Sequence, residues 1–222
     1  MDAVSIIALS MGAAWASGIN LYATLFMLGY MGSTGNMNLP AELEVLSNPM
    51  VMTAAGFMYC VEFFADKIPG VDSGWDTIHT FIRIPAGAML ASSAVGDVTP
   101  AIELTAALLG GVLATGSHTT KAGSRLLINT SPEPVSNWTA SISEDLLVIG
   151  GLWAALNHPT LFLIGLVIFV LLMIWLLPRL WRLIKRIFYR IGSWLGFCEP
   201  LPVEDSILPE IDLPSPAEQT KT

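Results

Sequence analysis

Four bases and a small set of acids stand inside otherwise apolar segments, and their types and spacing are what can do chemistry. Glu62 and Asp66 lie four apart, so on a helix both carboxylates share one face. Two hard oxygen donors on one face suit a proton or a divalent cation, and the pair is a tentative metal site. A second set is cationic: His79 and Arg83, then His118, Lys121 and Arg125. Lys121 and Arg125 also share a face. With Lys67 and Arg83 they form an alternative site for a phosphate or carboxylate. The competing reading is that Arg83 and Arg125 neutralise Asp76, Glu103 or Glu62 inside a bundle.

Two stretches weaken the helices that carry them. Ser17-Gly18-Ile19-Asn20 and Thr115-Gly116-Ser117-His118 each join a glycine to polar side chains. An unwound turn frees backbone groups to hold a solute and is tolerated in lipid where it faces protein or a cavity. Asn20 and His118 are therefore expected to line one cavity with Glu62 and Asp66. The same small residues also permit close helix packing. Enzyme signatures are missing: there is no P-loop, H-E-x-x-H, C-x-x-C or G-x-S-x-G pattern. The chain is read as a non-enzyme with no cofactor. Cys60 is expected to pack within its segment, and Cys198 is a candidate for lipidation in a suitable host.

Charges inside apolar segments are costly and mark functional positions by default. They stand in a chain of 222 residues that is 53% hydrophobic and 13% charged. That composition excludes a disordered chain and an ordinary soluble globule, whose charged share is about 25%. The net charge of −8 is a sum over unlike zones. Residues 1–178 hold twelve acids and four bases, 179–190 five bases, and 199–222 six acids and one lysine.

The chemistry-bearing residues need about six apolar helices to position them. The expected segments are 3–31, broken near Gly18 and Asn20; 50–64; 76–95; 100–127, broken at 116–118; 144–157; and 159–177. Polar loops are expected at 33–49 and 129–141. Residues 12–20 align with 110–118, with three identities. This suggests two inverted three-helix repeats, about 1–97 and 98–178, with broken or re-entrant first helices. The expected fold is thus an all-α polytopic membrane protein. Leu180, Ile184, Ile187, Ile191 and Trp194 recur at helical spacing beside Arg182, Arg186 and Arg190. They predict a basic interfacial amphipathic helix over 179–197, with anionic lipids as partners of 179–190. Residues 198–222 read as an acidic, proline-rich disordered tail. Positive charge after the most apolar run places the C-terminus in the cytoplasm. An N-terminus without Lys or Arg argues against a cleaved secretory signal.

From Ser17-Gly18-Ile19-Asn20, the run Glu62 to Asp76, Arg83-Ile84-Pro85-Ala86-Gly87 and His118 to Arg125, residues 1 to about 160 resemble a family of small bacterial membrane proteins. That family is catalogued as domain of unknown function 4126. The resemblance implies a bacterial inner-membrane location and no established activity. Glu62 and Asp66-Lys67 also resemble the Glu-x-Gly-Asp-Lys/Arg motif of inverted-repeat cation exchangers. Here the spacing is one residue longer, the glycine is missing, and Asn157 and His158 stand in the second copy.

Together these readings predict a small transporter of an ionic solute, a divalent cation or a proton-coupled one. Glu62, Asp66, Asn20 and His118 are its expected binding residues. The alternatives are a translocase for an anionic lipid or solute read by Lys67, Arg83, Lys121 and Arg125, and a non-transporting membrane scaffold. The partners expected are the bilayer and the solute, with no nucleic acid; the sequence leaves a homo-oligomer open.

Overall fold

The computed structural model describes residues 2–68, 70–130 and 134–194. It forms seven α-helices among the described residues: α1 (Ala3–Ile19), α2 (Leu21–Ser33), α3 (Pro49–Ala65), α4 (Val71–Ala94), α5 (Pro100–Ile128), α6 (Pro134–Asn157) and α7 (Pro159–Trp194), with a 3₁₀ turn at Ala41–Ser47. Two units are distinguished, Met1–Arg182 and Leu183–Thr222. The described part of the second is the end of α7, and the acidic tail with Cys198 lies outside the described residues.

Local chemistry sets the helix ends. Asn48 accepts from the Met50 amide and Pro49 opens α3, a start that needs no donor from proline. Gly70 takes φ +86° before α4, a conformation that costs glycine little. Pro100 opens α5. Asn20 does two jobs. Its backbone leaves the helical region at φ −144°, ψ 99°, ending α1. Its side chain accepts from the Ala23 amide at 2.9 Å and so caps α2.

The expected break in the first segment is therefore present, and it reverses the chain. Ser10 of α1 bonds to the Ala91 carbonyl near the end of α4. Gly32 in the last turn of α2 packs on Leu39, and Pro40 approaches Gly96, just past that same end of α4. Both arms thus point to one end of the bundle, and α1 and α2 form a V with Asn20 at its tip.

The expected break in α5 is absent. The hydroxyls of Thr115, Ser117, Thr119, Thr120 and Ser124 all bond to carbonyls four residues back. They are satisfied within the helix and need no unwound turn. Gly116 instead admits the Met173 side chain of α7. Two further boundaries differ. α6 starts at Pro134, where a polar loop was expected to Ser141. α7 continues through Pro178 to Trp194 with no separate interfacial helix.

The stretches that align in sequence, 12–20 and 110–118, pack side by side. A Cβ on Gly18 would strike Ser117 Oγ and the Ala114 carbonyl, and one on Gly110 would meet Ala91 and Ala14. Ala14 lies beside Gly110 and Gly18 beside Ser117, so α1 and α5 run in the same direction. Inverted copies would run in opposite directions. The alignment marks a shared small-residue packing face rather than an inverted pair.

Buried positions of α4 are Asp72, Asp76, His79, Arg83, Gly87, Leu90, Ala91 and Ala94. That 3–4 spacing is one helical stripe, polar at its start and small or apolar at its end. α5 repeats the pattern in reverse, from Ala106, Gly110, Leu113 and Ala114 to Ser117, His118, Lys121 and Arg125. α6 runs from Asn137, Ser141 and Asp145 to Val148, Leu152 and Ala155. One half of the interior is charged and the other is Gly, Ala and Leu.

The outside is the reverse. Phe57, Phe81, Met89, Leu108, Val112, Leu146, Val167 and Leu171 are exposed. Three helices are long and apolar enough to cross a membrane: Pro100–Ile128, Val135–Asn157 and Pro159–Arg186. The shorter apolar helices Ala3–Ile19 and Pro49–Ala65 accompany them. Cys60 is exposed rather than packed.

Candidate functional site

Every lysine and arginine of the first 178 residues is buried in the charged half: Lys67, Arg83, Lys121 and Arg125. Glu62, Asp66, Asp72, Asp76 and Asp145 are buried with them. α3 supplies Glu62 at its last turn and Asp66 as its cap. The 3–4 stripes of α4 and α5 supply Asp76 with Arg83, and Lys121 with Arg125. α6 adds Glu144 on its inner side.

Arg83 and Glu62 are both 0% exposed, and Arg83 Nη2 donates to Glu62 Oε1 at 2.6 Å. Arg83 Nη1 donates to Asp76 Oδ1 at 2.9 Å. The Lys121 ammonium is the hub. It lies 2.7 Å from Asp66 Oδ2, 3.4 Å from Glu62 Oε1, 3.6 Å from Glu144 Oε2 and 3.7 Å from Asp76 Oδ1. One cation of α5 thus holds carboxylates of α3 and its cap, α4 and α6. Arg125 grips Glu144 with two donors, at 3.2 and 2.7 Å, and donates to the Asp66 and Asn137 carbonyls. The Glu144 side chain, at 16%, is the most exposed member of this set.

The candidate residues therefore come together, but not as two separate sites. The pair Glu62 and Asp66 meets Arg83 and Lys121. Among the described residues, no three His, Cys, Asp or Glu side chains are grouped to hold a metal ion. The proposed anion-binding bases are occupied too. Lys67 is held without a carboxylate in contact, by the Phe63 carbonyl at 3.0 Å and the Ser141 hydroxyl at 3.2 Å, with its ammonium 2.9 Å from the Phe63 ring centroid. Arg83 does neutralise Glu62 and Asp76, as the competing reading had it. Arg125 takes Glu144, and Glu103 stays exposed.

His118 and Asn20 join the cluster's inner edge. Arg83 Nη1 lies 3.2 Å from His118 Nδ1. A guanidinium only donates, so Nδ1 accepts and the ring proton sits on Nε2. Nε2 then donates to Thr80 Oγ1 at 2.7 Å, whose own proton goes to the Asp76 carbonyl at 2.9 Å. His118 is thus fixed as a neutral ring. Asn20, at the tip of the V, donates to Asp145 Oδ1 at 3.0 Å. His79 pairs with the Tyr22 hydroxyl just past that tip, at 3.1 Å, and with the Trp75 carbonyl.

Sequence reasoning missed Asp72, Asn129, Asn137, Ser141 and Asp145. Asp72 Oδ1 takes the Gly70 and Ser73 amides, and both its oxygens face the Asn129 amide. The signal for α6 was the spacing of Asn137, Ser141 and Asp145, a polar stripe continued by Val148, Leu152 and Ala155. Placing Glu144 and Asp145 at a helix start hid it.

Among the described residues, four buried carboxylate oxygens have no hydrogen-bond partner: Glu62 Oε2, Asp66 Oδ1, Asp76 Oδ2 and Asp145 Oδ2. Such acceptors are rare in buried sites and call for an ordered water, a ligand or a proton.

An all-α chain with charges inside and hydrocarbon outside defines the class: a helical bundle with candidate membrane spans and a buried ionic centre. The chain belongs to the family described as a domain of unknown function (DUF4126), which matches residues 7–179. No curated protein and no solved structure matches it.

Proposed function

We propose that the protein is an integral membrane transporter of an ionic solute, bound as a positive charge by the buried carboxylates. The observation that carries this reading is the asymmetry of the cluster. Among the described residues one donor of the cluster's bases, Arg83 Nε, is buried without a partner, against four carboxylate oxygens. A site that is short of donors takes a proton or a cation, not an anion. This favours the cation or proton reading over the anionic-solute alternative.

The bundle closes the centre on one side. From Asp72 to Arg83 the polar stripe of α4 covers about 16 Å at 1.5 Å per residue. Beyond Arg83 the Gly87, Gly110, Gly18 and Ala114 contacts close the interior. The charged centre is thus sealed toward that end, and Glu144 is its most exposed member. Transport requires that seam to part, with the V of α1 and α2 as the element standing against it.

Orientation follows from α7. Phe162 lies against Gly12 and Met173 against Gly116, so α7 climbs toward the end of α5 that carries Lys121 and Arg125. Arg179 and Arg182 lie at that end. By the positive-inside rule it faces the cytoplasm. In a bacterium this is the cytoplasmic face of the inner membrane, and the basic stretch rests on anionic lipids there.

The test is ion flux into liposomes that contain the purified protein and entrapped dyes for H⁺, Na⁺ and Ca²⁺. The expected result is flux of one cation in the wild type, lost in Glu62→Gln and kept in Cys60→Ser. Equal flux in wild type and Glu62→Gln overturns the reading.

A further inference from the structure

We propose that Glu62 is held as the neutral carboxylic acid, with its proton on Oε2, and that the ion this protein takes up is therefore a proton. This rests on the transport reading and names its ion.

The buried ion pairs form one set: the acids Glu62, Asp66, Asp76 and Glu144, and the bases Arg83, Lys121 and Arg125. Four carboxylates against three cations leave one negative charge unmatched. The remaining charges nearby do not supply it. Lys67 is within Coulombic reach of Asp145, Asp66 and Glu144, and counting it together with buried Asp145 adds one charge of each sign and leaves the surplus unchanged. Asp72 is satisfied by amides. His118 is neutral by its hydrogen bonds, and His79 pairs with the Tyr22 hydroxyl and the Trp75 carbonyl rather than with any of the four carboxylates. Tyr22 lies beyond His79 and carries no charge as a hydroxyl.

The unpartnered oxygens locate the missing positive charge. Glu62 Oε2, Asp66 Oδ1 and Asp76 Oδ2 belong to this set, and each residue is at least 97% buried. Each has one oxygen that faces two bases; the second base stands 3.8 Å from Asp66 Oδ2 and 3.7 Å from Asp76 Oδ1, but 3.4 Å from Oε1 of Glu62. Its Oε1 receives both Arg83 and Lys121, and its Oε2 receives nothing. That is the arrangement of a carboxylic acid, whose carbonyl oxygen accepts while its hydroxyl carries the proton. A proton there forms one O–H bond, breaks none, and brings the set to three charges of each sign. A metal ion is the poorer occupant, because among the described residues no three His, Cys, Asp or Glu side chains are grouped to hold one.

The test is infrared spectroscopy of the purified full-length protein at neutral pH. A buried carboxylic acid gives a C=O stretch separate from carboxylate and amide bands, and the band shifts in D₂O. The proposal expects this band in the wild type, its loss in Glu62→Gln, and its persistence in Asp145→Asn. It also expects a second protonated group in Lys121→Met, where one more negative charge is unmatched and the band gains about one equivalent. Absence of the band in the wild type overturns the proposal. So does its persistence in a Glu62→Gln protein that still melts cooperatively. Liposome flux separates this from the reading it rests on. A band without flux leaves the proton in place and removes transport, and flux of another cation without the band does the reverse.

Discussion

Arg83 shows what a single residue holds here. It is fully buried and bonded to Glu62, Asp76 and His118. Removing one partner from a buried ionic set leaves an uncompensated charge, at about 3–5 kcal/mol. Arg83→Met is therefore expected to lower the melting temperature sharply in detergent, and adding Asp76→Asn is expected to recover part of the loss. No recovery in the double variant would mean that Arg83 acts through packing alone. Asn20 has a smaller and separable role. Asn20→Ala removes a helix cap, worth about 1 kcal/mol, together with a bond to Asp145. Asn20→Asp keeps the cap but sets a second acid against Asp145. The expected melting order is wild type, then Ala, then Asp, and an aspartate as stable as wild type would contradict the contact. The acids and bases themselves were legible in the sequence, because charges inside apolar segments stand out. Their pairing was not, since Glu62 meets Arg83 across 21 positions and Lys121 across 59. Spacing along one helix carries no information on such partners.

Helices pack in this chain through glycines placed at their crossings. A Cβ at Gly18 collides with Ser117 and the Ala114 backbone, whereas Gly74 in α4 has nothing within 4 Å. Gly18→Ala forces α1 from α5 and is expected to cost about 1–3 kcal/mol by overpacking. Gly74→Ala sits in open space and is expected to stabilise by up to about 1 kcal/mol through helix propensity. Thermal melts of the two variants should move in opposite directions; a shift in the same direction would refute the close approach. The break at Asn20 was readable because a glycine and a capping asparagine coincide there. The supposed break at Gly116 was not a break. Its neighbours Ser117 and Thr120 bond back within their own helix, and the same residue types serve either outcome. The start of α6 was misplaced for a similar reason. Its polar residues look like a loop until their 3–4 spacing is set against a charged neighbour.

At the scale of the molecule, the interior is divided into a charged half and a small-residue half, and hydrocarbon side chains cover the outside. That division makes a bilayer the natural surroundings of the ionic centre. The central claim is that this centre binds positive charge and carries it across the membrane. Its sign is the most direct test. The protein is reconstituted in liposomes adsorbed on a solid-supported electrode and exposed to jumps of H⁺, Na⁺, Ca²⁺ or phosphate. The account predicts a transient current of inward positive charge on a proton jump, abolished by Glu62→Gln, and none on a phosphate jump. A phosphate-evoked current that survives Glu62→Gln and disappears in Lys67→Gln would contradict it.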